Sequence, residues 1–270
     1  MSNLQIFNQQ IQNERTQNYL QSVLGERKNS FVSNLTSLVG NSYQLQQCEP
    51  MTLMYSAMKA TALNLPLDSN LGYAYVIPYN SRNGVQAQFQ IGYKGFIQLA
   101  LRSGQFTMLN VTDIREGEVQ EYDILSGAFV VKGKENRDAL PVVGYAAYFK
   151  LTNGYEKTLY MTVEQLNAHG AKFSKTFNNS NGLWKTDFDT MARKTVIKLL
   201  LNRWAPLSVE MAQAVQFDQS VMSPKNDDLS NIDVVYADNE QGEQPLTPEQ
   251  EQIIDEAEDF ASFANEQKNK

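Results

Sequence analysis

The stretch "YAYVIPYNSRNGVQAQFQIGYKGFIQLALRSG" (Tyr73–Gly104) decides the fold, because its pattern changes from strand to helix within one continuous unit. It begins with an aromatic and β-branched run, Tyr73–Tyr79, and a loop, Asn80–Gly84, whose Asn-Gly end is typical of hairpins. Apolar and polar residues then alternate strictly in Val85–Lys94, which predicts a second strand with one buried face. The remainder predicts a short helix that ends at a glycine.

Strand patterns continue after this unit, and helical patterns lie on both sides of it. Short strands are predicted around Phe106–Ile114, Val119–Ile124, Ala128–Lys132, Val142–Leu151 and Thr158–Met161. The gaps between them are too short for crossover helices, so they predict an antiparallel meander. Helices are predicted over most of 1–65 and, as one long element, from Trp184 to Trp204. The predicted fold class is therefore α+β, with an antiparallel β-meander and hairpin packed on helices that include one long basic helix.

Composition divides the chain into four parts: a variable helical N-terminal arm (1–30), a core (31–217), an acidic linker (218–246) and a short C-terminal helix (247–270). The linker is rich in Asp, Asn and Ser and poor in large apolar residues, so it is predicted to be disordered. The C-terminal helix carries an apolar stripe that needs a partner to bury it. Residues of this stripe that we expect to dock on a partner are Ile253, Ile254, Phe260 and Phe263.

Charge is distributed unevenly along the chain. The net charge is −7, but residues 206–270 hold 15 acidic and 3 basic residues, a net of −12, and residues 1–205 carry +5. Within 170–205 there are 7 basic and 2 acidic residues. An acidic C-terminal segment therefore masks a basic body, and a basic body is typical of proteins that bind polyanions.

Several function classes lack the residues that they need. The single cysteine, Cys48, excludes a disulfide framework and a multi-cysteine zinc site, and the single histidine, His169, leaves too few ligands for a histidine-based metal site. There is no P-loop sequence, so no ATP site is predicted. The five acids of Asp113–Asp123 leave a Mg²⁺-dependent nuclease as an alternative, although a solvated turn accounts for them better. No apolar run is long enough to predict a membrane span, and the polar N-terminus does not resemble a signal peptide.

Polar and cationic residues recur where a nucleic acid could bind. The polar face of Val85–Lys94 carries three glutamines and a lysine, and is either an ordinary solvated face or a platform for a sugar–phosphate backbone. On the long helix, Lys194 and Lys198 share one narrow stripe. Arg193 falls among apolar positions, and an ion pair with Asp189, four residues before it, is its first expected role. Cations interleaved with aromatic side chains suit a single-stranded nucleic acid.

Four motifs carry a family resemblance when they are taken in order. They are "LPLDSNLGYAYVIPY" (Leu65–Tyr79), "QFQIGYKGFIQLALRSGQ" (Gln88–Gln105), "REGE" (Arg115–Glu118) and "WKTDFDTMARKTVIKLLLNRWAPLS" (Trp184–Ser208). Each motif alone is a weak signal, but together they resemble the RecT family of phage single-strand annealing proteins. The resemblance covers about residues 30–215, so the N-terminal arm and the acidic tail lie outside it.

The resemblance implies ATP-independent binding of single-stranded DNA and annealing of complementary strands in phage homologous recombination and DNA repair. It implies a fold of the wider annealing superfamily, self-assembly into a ring or helical filament, and DNA binding and oligomerisation by the core. No catalytic residue and no cofactor are expected, with Mg²⁺ only loosely associated with the DNA. Expected partners are single-stranded and annealed duplex DNA, further copies of the chain, a cognate 5′–3′ exonuclease and a host single-strand binding protein. The expected location is the cytoplasm of a bacterial host, with a phage or prophage gene.

Candidate DNA contacts come from the matched motifs and from charge. By resemblance they are Lys94, Arg102, Lys185, Arg193, Lys194 and Lys198. Charge and position add Arg82, Gln88, Gln90, Lys175, Trp184 and Arg203. Replacing Lys194 and Lys198 with glutamate is expected to abolish annealing without unfolding, and deleting 218–270 is expected to leave annealing of bare DNA intact.

Two alternatives and one further question stay open at this stage. The chain could be the Mg²⁺-dependent nuclease mentioned above, or a scaffold protein that assembles without nucleic acid. The acidic tail either docks a partner through its apolar helix or competes with DNA for the basic body, and we favour docking.

Overall fold

The computed structural model of the chain describes residues 3–68, 70–81, 84–123, 127–180 and 182–236. It contains α-helices and antiparallel sheets, which confirms the predicted α+β class. Within those residues, no helix is both long enough and apolar enough to cross a membrane.

The N-terminal region consists of helices, as predicted, and these helices belong to the main core. Their bounds are α1 (Asn3–Gln12), α2 (Glu14–Leu24), α3 (Lys28–Gly40) and α4 (Pro50–Ala62). Phe7 and Ile11 of α1 and Leu20 of α2 are buried in the same hydrophobic cluster as α4. Tyr55 of α4 also donates a hydrogen bond to the Leu229 carbonyl, 2.9 Å away near the other end of the described chain. The boundary at residue 30 between an arm and a core therefore has no counterpart in the packing.

The first sheet has four antiparallel strands in the order β1-β2-β8-β9. The strands are β1 (Ala74–Ser81), β2 (Gly84–Ile91), β8 (Ser220–Lys225) and β9 (Asp228–Tyr236). Ala87, Phe89 and Ile91 are fully buried on the face that packs against α4, as the alternation in the sequence predicts.

Strands β8 and β9 correct the prediction of a disordered linker at 218–246. The chain is ordered as a hairpin through Tyr236, and residues 237–246 lie outside the described part. Val221 and Met222 are buried, and β8 pairs with β2 at Gln88 and Phe89. The polar composition misled the prediction because β9 is a mostly exposed edge strand, whose stability comes from its ladder to β8 and not from apolar burial of its own.

The second sheet has three antiparallel strands in the order β3-β6-β7, so the predicted meander is interrupted. The strands are β3 (Phe106–Arg115), β6 (Val142–Leu151) and β7 (Glu156–Thr162). Between β3 and β6 the chain forms a separate two-stranded hairpin of β4 (Val119–Tyr122) and β5 (Phe129–Val131).

The remaining helices connect and cover the two sheets. They are α5 (Tyr93–Arg102), α6 (Val163–Phe173), α7 (Leu183–Thr186), α8 (Phe188–Trp204) and α9 (Val209–Phe217). The predicted single helix 184–204 is in fact α7 and α8, because Asp187 separates them and its carboxylate accepts a hydrogen bond from the Thr190 backbone N–H, 3.2 Å away. Helix α8 packs on the second sheet, and Val196, Ile197 and Leu200 are fully buried.

Candidate nucleic-acid interface

The junction between β2 and α5 is built around two glycines that allow close backbone approach. Strand β2 ends at Ile91 and α5 begins at Tyr93, so Lys94 lies in the first turn of a helix and not on a strand face as predicted. A Cβ atom at Gly92 would lie 2.2 Å from the Gly72 carbonyl oxygen, and one at Gly95 would lie 2.1 Å from the Tyr73 carbonyl oxygen. Only glycine fits at either position, because any side chain would collide with backbone.

This close approach places Lys94 beside Tyr75. A Cβ atom at Gly72 would lie 3.2 Å from the Tyr75 hydroxyl oxygen and 3.4 Å from Lys94 Cδ, so both side chains border the same point. Lys94 is exposed, and Tyr75 is half-buried. Burial, followed by the negative charge of Asp187 and the nearby Tyr93, raises the pKa of Tyr75, which therefore stays a neutral hydrogen-bonding group at physiological pH.

The loop between α6 and α7 brings Lys175 to the same strand, and α7 carries a further exposed lysine, Lys185. Lys175 Nζ lies 3.3 Å from the Tyr79 hydroxyl and 6.0 Å from the centre of its ring. Lys185 Nζ lies 4.6 Å from the Phe177 ring centre, and this ring in turn packs edge-on against Trp184 at 5.8 Å. Lys175 and Lys185 are exposed, whereas Trp184 is buried and anchors the loop.

Tyr75 and Tyr79 lie on one face of β1, because side chains alternate along a strand. Their separation of four residues corresponds to about 13 Å. We name the surface formed by Tyr75, Tyr79, Lys94, Lys175 and Lys185 the tyrosine–lysine surface. Lys94 borders Tyr75, Lys175 contacts Tyr79, and Lys185 contacts Phe177 of the loop that carries Lys175.

The glutamines of β2 are less open than the alternation suggested. Gln88 pairs with Ile77 and Gln90 with Tyr75 across the β1–β2 ladder, so both lie on the same face as the tyrosines. Gln88 is only 4% exposed, and its amide donates to the Gln219 carbonyl at 2.9 Å. Gln90 is half-buried and donates to the Gln88 side chain at 2.7 Å. The expected open position of Gln88 is therefore wrong, because its side chain is buried and bound to the backbone just before β8.

Lys194 and Lys198 converge on one buried carboxylate. Lys194 Nζ lies 3.0 Å from Asp218 Oδ1, and Lys198 Nζ lies 2.6 Å from Asp218 Oδ2. The Asp218 side chain is 0% exposed, Lys194 is 7% exposed and Lys198 is 25% exposed. The Ile91 backbone N–H also donates to Asp218 Oδ1 at 2.8 Å. Burial alone would raise the pKa of Asp218, but the two lysine charges outweigh it and hold that pKa below its usual range.

This arrangement corrects the expected solvent-exposed cationic stripe on the long helix. Lys194 is buried and holds the start of the β8–β9 hairpin to α8, whereas the Lys198 side chain is 25% exposed.

Arg193 belongs to a second charge network, near the C-terminal end of β3. It pairs with Asp189 at 2.7 Å, which confirms the expected i,i+4 ion pair. Its guanidinium also lies 2.9 Å from Asp113 and donates to the Val111 carbonyl at 3.1 Å. Asp113 is itself bound by Arg115 at 2.6 Å. Burial opposes ionisation of Asp113, but hydrogen bonds from Arg115 and Arg193 hold the pKa of its carboxyl below the usual range.

The acids proposed as an alternative Mg²⁺ site are part of this network. Glu118 is buried, and its carboxylate lies 2.8 Å from the Arg137 guanidinium. That hydrogen bond is the main reason why the pKa of Glu118 is lowered, with burial acting against it. Asp113 also faces Arg137, at 3.4 Å. These carboxylates are thus occupied by arginines, and within the described residues no group of three or more His, Cys, Asp or Glu side chains could hold a metal ion.

Two further candidates lie at the C-terminal ends of their helices. Arg102 is exposed at the end of α5 and donates to the Leu63 carbonyl at 2.8 Å. Arg203 is exposed near the end of α8, with its guanidinium carbon 5.8 Å from the Trp204 ring centre. Five of the candidate site residues fall outside the described part of the chain: Arg82, Ile253, Ile254, Phe260 and Phe263.

Some exposed cations form no ion pair, which distinguishes them from the cations held in the two charge networks. Across the described ranges, no ion pair is formed by Lys94, Lys172, Lys185 or Arg203.

Sequence reasoning missed the role of Asp218, which it placed in a linker. The only local signal was an isolated acid directly after an apolar helix and before the run Ser220–Met222.

Comparisons with known proteins agree with the motifs. A model of the RecT family matches residues 29–237. The chain is 47% identical over 195 residues to "Uncharacterized protein YqaK" of Bacillus subtilis (strain 168), a match over 72% of this chain and 66% of that relative. It is 33% identical over 180 residues to "Protein RecT" of Escherichia coli (strain K12), over 65% of each chain. The match thus spans slightly less than two thirds of the length of each relative.

Proposed function

This chain belongs to the RecT family, and we propose that it binds single-stranded DNA and anneals complementary strands in homologous recombination. The observation that carries the proposal is the contact of Lys175 with Tyr79, 3.3 Å apart and separated by 96 residues of sequence. It joins a cation to an aromatic ring on one face of β1, and such pairs suit a single strand better than a small ligand.

The tyrosine–lysine surface supplies both interactions that a single strand needs. Lys94, Lys175 and Lys185 neutralise phosphates and release counterions, which lowers the repulsion between two polyanions. Tyr75 and Tyr79 offer rings on which bases stack, and stacking tolerates any sequence because every base has a flat π-face. Their spacing of about 13 Å corresponds to about four phosphate intervals of a B-form strand. The surface therefore holds a strand without reading its sequence.

Annealing in this proposal needs no bond chemistry and no ATP. The protein holds one strand with its bases accessible, and the second strand then pairs with it. Base stacking in the product duplex, about 1.4 kcal/mol for each step, drives the reaction. The charge networks around Asp113 and Asp218 support the proposal indirectly, because they use the buried acids and cations for folding and leave only the surface cations for DNA.

Finer features of the proposal come from family membership. We propose that the chain assembles along DNA as a ring or a filament, since one long strand must recruit many copies. The proposed partners are a 5′–3′ exonuclease and a host single-strand binding protein, with the acidic tail as the docking segment. The proposed location is the bacterial cytoplasm.

The test mixes two complementary oligonucleotides with protein, without nucleotide cofactor, and follows duplex formation by fluorescence quenching. The wild-type protein should accelerate annealing. Tyr79→Ala should weaken binding of a labelled oligothymidylate by about 1–3 kcal/mol, or between about fivefold and about 150-fold, because a stacking ring is lost.

Lys175→Gln should reduce the steepness of the salt dependence of binding by about 0.7, the value for one phosphate contact to a single strand. Lys225→Gln, an exposed lysine at the end of β8, is the matched control and should leave both quantities unchanged. A wild-type protein that binds the oligonucleotide no better than an unrelated acidic protein does would refute the proposal.

A further inference from the structure

The hairpin of β4 and β5 leaves apolar side chains exposed on both of its faces. Val130 and Val131 are 48% and 39% exposed, although neighbouring residues of a strand face opposite sides. On one side Phe129 stacks on Tyr160 of β7, with ring centres 5.1 Å apart, and this contact holds the hairpin to the second sheet. Within the described residues the hairpin is a sheet of two strands, and such a sheet is marginally stable in water. A third strand would therefore stabilise it.

A backbone hydrogen bond identifies the open edge of β5. The Lys132 N–H donates to the Glu118 carbonyl at 2.9 Å, so Lys132 directs its backbone groups towards β4. Backbone groups alternate between the two edges of a strand, and Phe129 and Val131 therefore direct theirs away from β4. Among the residues that the structure describes, no hydrogen bond joins Phe129 or Val131 to a strand other than β4.

The C-terminal half of β9 forms a second open edge. Its partner β8 places Pro224 opposite Ile232. A proline has no N–H to donate, so this pair suits a position where the two residues form no hydrogen bond with each other. Ile232, Val234 and Tyr236 then direct their backbone groups away from β8. Ile232 and Val235 are 39% and 43% exposed, and in the described part of the chain β9 pairs with β8 alone.

One antiparallel register matches the two edges residue by residue. It places Val131 opposite Val234, Phe129 opposite Tyr236, Val130 opposite Val235 and Lys132 opposite Asp233. The first two pairs join residues whose backbone groups point outwards on both strands, which is the condition for a hydrogen-bonded ladder. The side chains form two β-branched pairs, one aromatic pair and one pair of opposite charge. Each kind of pair stabilises neighbouring strands.

We propose that β5 of one copy of this chain pairs with β9 of a second copy in this register. The inference rests on the proposed function, because it names the surfaces through which copies assemble along DNA. Since β5 and β9 belong to different sheets, two joined copies still present one open edge of each kind. Further copies add in the same way, and such a head-to-tail interface closes into a ring or extends as a filament.

Charge favours pairing of the two different edges over pairing of like edges. Residues 129–134 contain two lysines and no acid, whereas Asp228–Tyr236 contains two aspartates and no cation. Two β5 edges or two β9 edges would bring together charges of one sign. Only the mixed pairing joins opposite charges, so it is the one that we expect between copies.

The small size of this contact determines when it forms. A ladder of four residues offers few hydrogen bonds, so two free copies associate weakly. Copies bound to one DNA strand are held at a high effective concentration, which raises the occupancy of a weak contact. Assembly through these edges is therefore expected to depend on the length of the DNA.

The test exchanges the charges of Lys132 and Asp233, which are both exposed. Sedimentation velocity follows assembly on an oligothymidylate long enough for several copies. Fluorescence anisotropy follows binding to one of about ten nucleotides, the size of a single site. Lys132→Glu and Asp233→Lys each set like charges opposite each other, so the protein concentration needed for assembly should rise about twofold to about thirtyfold. The double variant restores a pair of opposite charge and should assemble at the wild-type concentration.

A charge control and a cross-link complete the design. Arg27→Glu makes the same charge change at an exposed residue between α2 and α3, and it should leave assembly unchanged. For the cross-link, Val130→Cys protein is mixed with Val235→Cys protein on the long oligonucleotide under oxidising conditions. A disulfide between copies should form in the mixture and in neither protein alone, because the native Cys48 is buried.

The outcomes separate this inference from the proposed function. Impaired assembly of both single variants, its recovery in the double variant and wild-type binding to the short oligonucleotide support the inference. Wild-type assembly by the single variants, no recovery in the double variant, an equal defect in Arg27→Glu or an unassembled wild-type protein overturns it. In each of these cases the proposed function stands if the wild-type protein binds and anneals DNA. A wild-type protein that neither binds DNA nor assembles overturns both.

Discussion

Replacing Asp218 with asparagine removes one negative charge from the interior and keeps the shape of the side chain. The asparagine oxygen can still accept the hydrogen bond from the Ile91 N–H. What changes is the environment of Lys194, whose side chain is 7% exposed and whose ammonium lies 3.0 Å from Asp218. Lys198 is 25% exposed and can turn towards water. The substitution therefore removes the carboxylate that lies beside one buried cation.

The expected loss of stability follows from removing the Asp218 charge beside the buried Lys194. Removing one partner of a buried ion pair costs about 3–5 kcal/mol, and the lower end applies because only Lys194 is trapped. For a domain of this size, about 3 kcal/mol lowers Tm by roughly 6–12 °C. The double variant Asp218→Asn/Lys194→Met removes the trapped charge, so it should regain most of the lost stability.

The assay is urea denaturation followed by the fluorescence of the two tryptophans, Trp204 and Trp184, of which Trp184 is buried beside Phe177 and Phe188. Wild type, both single variants and the double variant form a mutant cycle whose coupling energy isolates the ion pair. A loss below about 1 kcal/mol for Asp218→Asn at neutral pH would contradict the argument, since it would mean that Lys194 reaches water without Asp218.

The pH dependence of this effect has a fixed sign. The folded pKa of Asp218 lies below its unfolded value, because the charges of Lys194 and Lys198 outweigh burial. Its contribution to stability is therefore fully present above the unfolded pKa of about 3.9 and is lost as the pH falls through the lower folded pKa. The difference between wild type and Asp218→Asn should be constant from about pH 5 upwards and shrink in stronger acid.

Two further predictions concern the same framework. Arg193→Lys should destabilise the fold by about 1.5–3 kcal/mol in urea denaturation, because one ammonium cannot replace contacts to Asp189, Asp113 and the Val111 carbonyl; an unchanged midpoint would contradict this. Deleting 218–270 should prevent cooperative unfolding altogether, because it removes Asp218, β8 and β9. The sequence alone suggested instead that annealing would survive this deletion. A sharp unfolding transition in the truncated protein would refute the prediction.

The structure also changes the expected outcome of placing glutamate at Lys194 and Lys198. From the sequence, such a variant should fold and fail to anneal. In the structure, Lys194 Nζ lies 3.0 Å from the buried Asp218 carboxylate. A glutamate at 194 would therefore place a second carboxylate near the first, and the two negative charges would repel each other. Loss of annealing in that variant would not distinguish unfolding from a lost DNA contact, so the exposed Lys175 is the better position for testing DNA binding.

Local patterns in the sequence determined much of the fold. Alternation in Val85–Ile91 placed Ala87, Phe89 and Ile91 in the core, since side chains of a strand alternate whatever the strand packs against. The hairpin of β1 and β2 was also predicted, although Asn80, Ser81 and Gly84 of the predicted loop lie in the strands and residues 82–83 fall outside the described part of the chain. The ordered motifs were sufficient for the family, and Arg193 and Asp189 pair because i,i+4 contacts are built into a helix.

Only the tertiary structure decided which cations form buried ion pairs and which stay exposed. The partner of Lys194 is 24 residues away, that of Arg193 is 80 residues away, and Lys175 meets Tyr79 across 96 residues. A periodic pattern fixes which side of an element a side chain occupies, but not which distant carboxylate the fold brings to that side. Because a buried charge must find such a partner and an exposed one need not, the division between buried and exposed cations is set by long-range packing.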